Sequence, residues 1–191
     1  MKQLAILTGI LALAAPLAMA QTTTWVSDPN HSEVDFSIVH MSVSNVHGRF
    51  GNVNATIVYN QSDVTKSTVT ATIGVDTVDT GVDRRNNHLK TPDFFNVAAM
   101  PTATFTSTSV ARNGDHLTVT GNLTLHGVTK PVVLDVEGPN GSMTDPQGHV
   151  HRGFSATTKI NRADFGIGSK FPAAMVGDEV SLDIELEVVK Q

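Results

Sequence analysis

The chain has 191 residues, a formal net charge of −5 at pH 7, 40% hydrophobic residues and no cysteine. That length suits one domain with a real core. Mild acidity argues against a nucleic-acid partner, which needs a basic surface, and without thiols there is neither a disulfide framework nor a cysteine to carry an acyl anchor.

The first twenty residues read as a secretory signal peptide. Lys2 supplies a positive start, Leu4 to Leu17 is almost wholly apolar, and Ala18-Met19-Ala20 forms a small-residue cleavage site. The apolar run falls short of the roughly 20 residues of a membrane span. Cleavage after Ala20 is expected, leaving one domain over residues 21–191. Without a twin-arginine pair or a second long apolar segment, the product is expected to be soluble and periplasmic.

Behind the signal, alternation of apolar and polar residues recurs. Val34, Phe36 and Ile38 alternate with Glu33, Asp35 and Ser37; Val53, Ala55, Ile57 and Tyr59 form another face, and Val69, Ala71, Ile73 and Val75 a third. Leu117, Val119, Gly121, Leu123 and Leu125 follow, then Val132, Leu134 and Val136, then Phe154, Ala156, Thr158 and Ile160. In the last segment Val180, Leu182, Ile184, Leu186 and Val188 take the even positions against Ser181, Asp183, Glu185 and Glu187. This period of two marks strands with one dry and one wet face. Asn113-Gly114 and Asn140-Gly141 read as hairpin turns, and Pro131 as a strand start or edge. About eight or nine strands are expected, mostly joined as antiparallel hairpins. Such a pattern fits two architectures, a two-sheet sandwich and a closed barrel.

Two segments break the rhythm. DRRNNHLKTPDFF, residues 83 to 95, gathers three bases, a histidine and two phenylalanines. Asp83 and Thr91 read as helix N-caps and Pro92 as a first helical residue, which predicts short helical turns over 84–90 and 92–97. NRADFGIGSKFPAAMVGDE, residues 161 to 179, is long, glycine-dotted and apolar, as lids over binding sites often are. Within it Asp164 reads as a turn residue paired with Arg162.

In this order the motifs resemble the YceI-like family of bacterial periplasmic proteins. Trp25-x-x-Asp28-Pro29-x-His31-Ser32-x-Val34-x-Phe36, continuing to Gly48-x-Phe50, is similar to the family's opening. Arg85-x-x-His88-Leu89 with Asp93-Phe94-Phe95 resembles its insert, and Pro101-x-Ala103-x-Phe105 the strand after it. Gly121-x-Leu123-Thr124 through Gly127-Val128-Thr129-Lys130, then Gly153-Phe154, Arg162-x-Asp164-Phe165-Gly166 and Gly177-Asp178, complete the likeness. One departure is Asn86, where the family pattern has an acid. The resemblance implies an all-β fold: an eight-stranded or slightly larger antiparallel lipocalin-like barrel with a short helical insert around residues 84–97. It also implies an isoprenoid-type lipid as ligand, with no other cofactor; a homodimer fits the family, though no segment marks an interface.

In a closed barrel about eight strands leave room for side chains or one ligand, and ten-residue strands at ~3.3 Å per residue span roughly 30 Å. The expected cavity lining is Phe36, Ile38, Ile57, Ile73, Phe105, Leu123, Phe154 and Leu182, a long narrow shape suited to a hydrocarbon tail. At ~0.8 kcal/mol per CH₂ a twenty-carbon tail gains ~16 kcal/mol gross, near the ceiling of non-covalent affinity. A bilayer offers nearly the same, so transient contact with a membrane as lipid source is expected. The insert then covers one mouth. Phe94 and Phe95 pack on the tail, while Arg84, Arg85, His88 and Lys90 offer charge-assisted hydrogen bonds to an anionic head such as a pyrophosphate; His40, at the end of the Phe36 face, offers another polar contact. In the competing reading the phenylalanines are ordinary core and the bases solvated surface.

Eight histidines raise a metal reading, but His149-x-His151 has no third ligand at a recognisable spacing, and no metal site is expected. No G-x-S-x-G or other nucleophile motif occurs, so a binding protein and not an enzyme is expected. A structural sandwich without ligand and a histidine-based metal binder stand as alternatives.

Overall fold

The computed structural model describes residues 22–191; the expected signal segment and its cleavage at Ala20 lie outside them. The chain forms β1 (Thr22–Ser27), β2 (Glu33–His40), β3 (Ser44–Phe50), β4 (Val53–Asn60), β5 (Thr68–Gly74), a helix α1 (Asp83–Leu89), β6 (Thr102–Asn113), β7 (His116–Leu125), β8 (Val128–Thr144), β9 (Val150–Asn161) and β10 (Val176–Lys190). Among the described residues no helix is long and apolar enough to cross a membrane.

The strands follow one another in the order β1-β4-β5-β6-β7-β8-β9-β10, and β10 returns to pair with β1. Trp25 stands opposite Lys190 and Ser27 opposite Val188. The ring is therefore an eight-stranded antiparallel barrel, and the sandwich is excluded. The long β10 uses one edge twice. Its last residues hold β1, while Val176 to Glu185 hold β2. The β2–β3 hairpin thus carries the wall onward beside the N-terminal half of β10.

The ten strands among the described residues exceed the eight or nine expected. β3, SNVHGRF, has too little alternation to announce itself, and β1, TTTWVS, opens on three threonines. Pro131 lies inside β8, facing Asn122 on β7, where β8 has not yet met β9; that second pairing starts only at Asp135. Asn140-Gly141 is not a hairpin turn. It sits at register shifts within β8, where Gly141 uses its positive φ of 59° for a bulge. The hairpin turns instead at Asp145 to Gly148, where the Asp145 carboxylate accepts from the backbone N–H groups of Gln147 and His149. A further shift between Ser107 and Ser109 changes the parity of β6, so that Ala103 and Phe105 point inward before it and Val110 after it.

The interior divides into two levels. At one end Trp25, Ile57, Val110, Leu117, Val119, Val136, Phe154 and Val188 pack into a plug, and the Arg152 guanidinium lies 4.9 Å from the Trp25 ring centre, a cation–π contact. Towards the other end small residues face large ones. Gly121 leaves space for the Phe105 ring, and Gly48 for Phe36; an added Cβ would stand 2.3 Å and 2.5 Å from those rings. Overpacking of this kind destabilises by about 1–3 kcal/mol. Gly121→Ala is therefore expected to lower stability in denaturant titration by that amount and to push Phe105 into the barrel interior. Gly51→Ala, with nothing within 4 Å, should leave stability unchanged.

Candidate functional site

Above the plug lies a cavity of about 400 Å³, within the usual range for small-ligand sites. Phe36, Ile38, Ile73, Phe105, Leu123 and Leu182 line it, as the alternation predicts. Ile57 and Phe154 do not. Both point inward, but at the level of the plug; a period of two fixes the face of a residue and not its height in the barrel.

The mouth is covered from two sides. Arg85 and His88 are three residues apart on α1, hence on one helical face, and both border the cavity with Leu89, Phe94, Phe95 and His40. Arg84 and Lys90 do not. Arg84 is turned away by one residue's rotation and exposed, and Lys90 is the residue that ends the helix. The cap expectations also need correction. Val82 occupies the N-cap position without a side-chain bond, Asp83 is already helical, and the Thr91 hydroxyl donates back to the His88 carbonyl instead of capping a new helix.

From the other side, the 161–179 loop brings Phe171 to stack on Phe94 at 5.0 Å between centres, with His88 edge-on to Phe94 at 5.0 Å. Lys170 pairs with Asp93, and that hydrogen bond holds the Asp93 carboxyl below its usual range against some desolvation. The two covers meet through these contacts.

Arg162 shapes the loop. It is 4% exposed, and its partner is Asp178 at 2.9 Å, not the expected Asp164. Its Nε donates to the Gly177 carbonyl, Nη1 to Ile167 and Gly168, and Nη2 to Phe171 and Val176, at 2.8–2.9 Å. Every donor of the guanidinium is used in holding the loop, so Arg162 touches the cavity wall as a strut with no donor left to offer a ligand.

Arg85 differs. Its Nε donates to Thr80 Oγ1 at 2.7 Å and its Nη2 to the Thr80 carbonyl at 2.8 Å. Among the described residues it has no carboxylate partner, and Nη1 makes no hydrogen bond. Thr80 is fixed by Asn86, whose amide oxygen accepts from the Thr80 N–H and hydroxyl while its amide nitrogen donates to Asp79 at 3.0 Å. Asp79 is held below the usual carboxylate range by the Gly81 N–H first and this amide second. Asn86, the departure from the family pattern, thus supplies a donor where an acid would face another acid. Neither Thr80 nor Asp79 was legible as a site residue, since short loop contacts carry no periodic signal.

At the plug end His149 and His151 both turn to Asp145, at 3.0 and 3.3 Å, and His151 also pairs with Glu187 at 2.7 Å. The hydrogen bond to Glu187, then that to Asp145, raises the His151 pKa. Asp28, His31 and Glu187 each place one potential ligand atom within 4.8 Å of the others, a grouping absent from the sequence expectations because β1–β2 and β10 are far apart in the chain.

Removing Arg162 takes the side-chain donor from five loop carbonyls, and a buried polar group left unmet costs ~1–3 kcal/mol. Arg162→Ala should lose stability on that scale in chemical denaturation, and Arg162→Lys, which keeps the charge but not the five-pronged geometry, should recover only part. Asn86→Asp should melt lower than wild type at pH 7, because two carboxylates then share one site and the folded-state pKa of the pair is raised. The deficit should vanish as the pH falls through ~4, where the acids take up protons.

A YceI-like domain model matches residues 25–188. The chain is 42% identical to Protein YceI of Salmonella newport over 161 residues, covering 84% of this chain and 83% of that protein. The Campylobacter jejuni YCEI crystal structure superposes with a TM-score of 0.71 at 32% identity, covering 80% of this chain and 90% of that one. Burkholderia cenocepacia BcnA gives 0.73 at 24% identity over 84% and 98% of the two chains. A polyisoprenoid binding domain from Saccharophagus degradans, implicated in plant cell wall breakdown, gives 0.61 at 18% over 87% and 98%; these last two likenesses are of fold.

Proposed function

Because the chain belongs to the YceI-like family, we propose that it is a periplasmic carrier that binds a single isoprenoid-type lipid, and not an enzyme. One observation carries the reading: a cavity walled by apolar side chains ends at Arg85, a half-buried cation with no carboxylate partner among the described residues. An uncompensated cation beside an apolar tunnel is unfavourable by itself and complements an amphiphile with an anionic or strongly polar head. The solved relative that is a polyisoprenoid binding domain supports the same ligand class.

The volume bounds how much of the tail is enclosed. A water takes ~30 Å³ in the liquid, and a methylene is of similar size, so about 400 Å³ holds on the order of a dozen chain carbons. Their burial gains roughly 10 kcal/mol gross at ~0.8 kcal/mol each. A longer tail continues out through the mouth. His88, on the same helical face as Arg85, and His40, at the end of β2, also border the cavity and offer further donors for the head group.

Native mass spectrometry of the protein gently extracted from its own cells is expected to show the mature chain plus one lipid; the bare chain alone overturns the reading. Hydrogen bonds to charged groups contribute ~1.5–3 kcal/mol. Arg85→Ala should therefore weaken binding of an isoprenoid pyrophosphate by about tenfold or more, and binding of a quinone with the same tail by much less. Equal losses would remove Arg85 from head-group recognition.

A further inference from the structure

Among the described residues seven large hydrophobic side chains are exposed, and four of them, Val39, Met41, Val43 and Met175, gather at one place. Val39 and Met41 lead into the tip of the β2–β3 hairpin, Val43 leaves it, and the Met41 N–H donates to the Met175 carbonyl at 2.9 Å, tying the tip to the 161–179 loop. Val43 is 83% exposed. The tip turns through two consecutive non-glycine residues at positive φ, Met41 at 53° and Ser42 at 58°. Such conformations are uncommon for side-chain-bearing residues, and here they hold apolar groups out into solvent.

This lip is continuous with the cavity. Val39 and Met175 are exposed on the outside and also line the inside. Nor does the lip carry charge that would resist desolvation: residues 36–47 contain no acid, lysine or arginine, and residues 171–177 no charged residue at all, in a chain that is 16% charged. Beside the same mouth stand Arg84 and Lys90, the two bases of the insert that face away from the cavity and have no carboxylate partner among the described residues.

We propose that this lip docks on a bilayer containing anionic lipid. Met41 and Val43 enter the boundary between headgroups and acyl chains, Arg84 and Lys90 meet anionic headgroups, and Val39 with Met175 forms an apolar step along which a tail passes from bilayer to barrel without crossing water. The proposal rests on the lipid-carrier reading and names the partner surface of that site.

The test is co-sedimentation of the mature protein with extruded vesicles of phosphatidylethanolamine and phosphatidylglycerol, run beside binding of a water-soluble quinone with two isoprene units. The doubly substituted chain Met41→Asp, Val43→Asp is expected to lose vesicle binding by tenfold or more while its quinone affinity stays unchanged. Arg84→Gln and Lys90→Gln are expected to weaken binding on the order of fivefold each, and only on vesicles with phosphatidylglycerol. Unchanged vesicle binding by the lip variant, or no vesicle binding by wild type, overturns the docking surface. An equal loss of quinone affinity also overturns it, since it returns these residues to the cavity. Lip-dependent vesicle binding by a protein that takes up no quinone keeps the docking surface and counts against the carrier reading alone. Because Met41 and Val43 are exposed, circular-dichroism melting of the variant should match wild type, separating the result from misfolding.

Discussion

A guanidinium removed from water needs its charge balanced and its five donors met, or its burial becomes strongly unfavourable. Arg162 satisfies that requirement with Asp178 and five backbone carbonyls drawn from residues 167 to 177, and the requirement in turn dictates the path of the loop. Gly168, at φ 64°, allows the chain to pass close: a Cβ there would stand 2.9 Å from the Phe94 ring and 3.1 Å from Nη1. With the loop fixed, Phe171 reaches Phe94, Met175 reaches the hairpin tip, and the barrel acquires a shaped mouth. The shape of the entrance thus depends on one polar group below the apolar cover.

The hollow persists for a reason of size. The large residues Trp25, Leu117 and Phe154 are gathered in the plug, while Ala71 and Ala103 stand in the wall of the cavity and Gly121 beneath the Phe105 ring. Side chains that small do not reach across an eight-stranded ring, so this level keeps a hollow that interiors at ordinary packing density lack. On the carrier reading, a bilayer solvates a hydrocarbon tail about as well as the wall does, so selectivity would have to come from the mouth, where Arg85, His88 and His40 border the cavity.

The sequence and the structure agree where one physical rule governs. Strong alternation in β2, β4, β5, β7, β9 and β10 identified the faces, and six of the eight expected lining residues border the cavity. Ile57 and Phe154 sit elsewhere because height along a barrel depends on register, which no single strand encodes. Asn140-Gly141 misled because positive φ serves bulges as well as hairpins. Arg162 found Asp178 and not Asp164 because its partner is set by the closing of the 161–179 loop, which brings in a residue sixteen positions away, and sequence proximity is a poor guide to that. Asn86 carried a visible signal as a break in the family pattern, but its meaning needed Asp79 and Thr80 in place.

The ring is sealed by β1 against β10, the first described strand against the last, with the Gln191 N–H donating to the Thr24 carbonyl. That pairing spans nearly the whole described chain, the kind of distant contact that raises contact order and slows folding. Without β10 the ring would be an open trough with apolar walls and two bare edges, β1 and β9, the kind of exposed edge that invites self-association, and β10, paired to both, is what removes them.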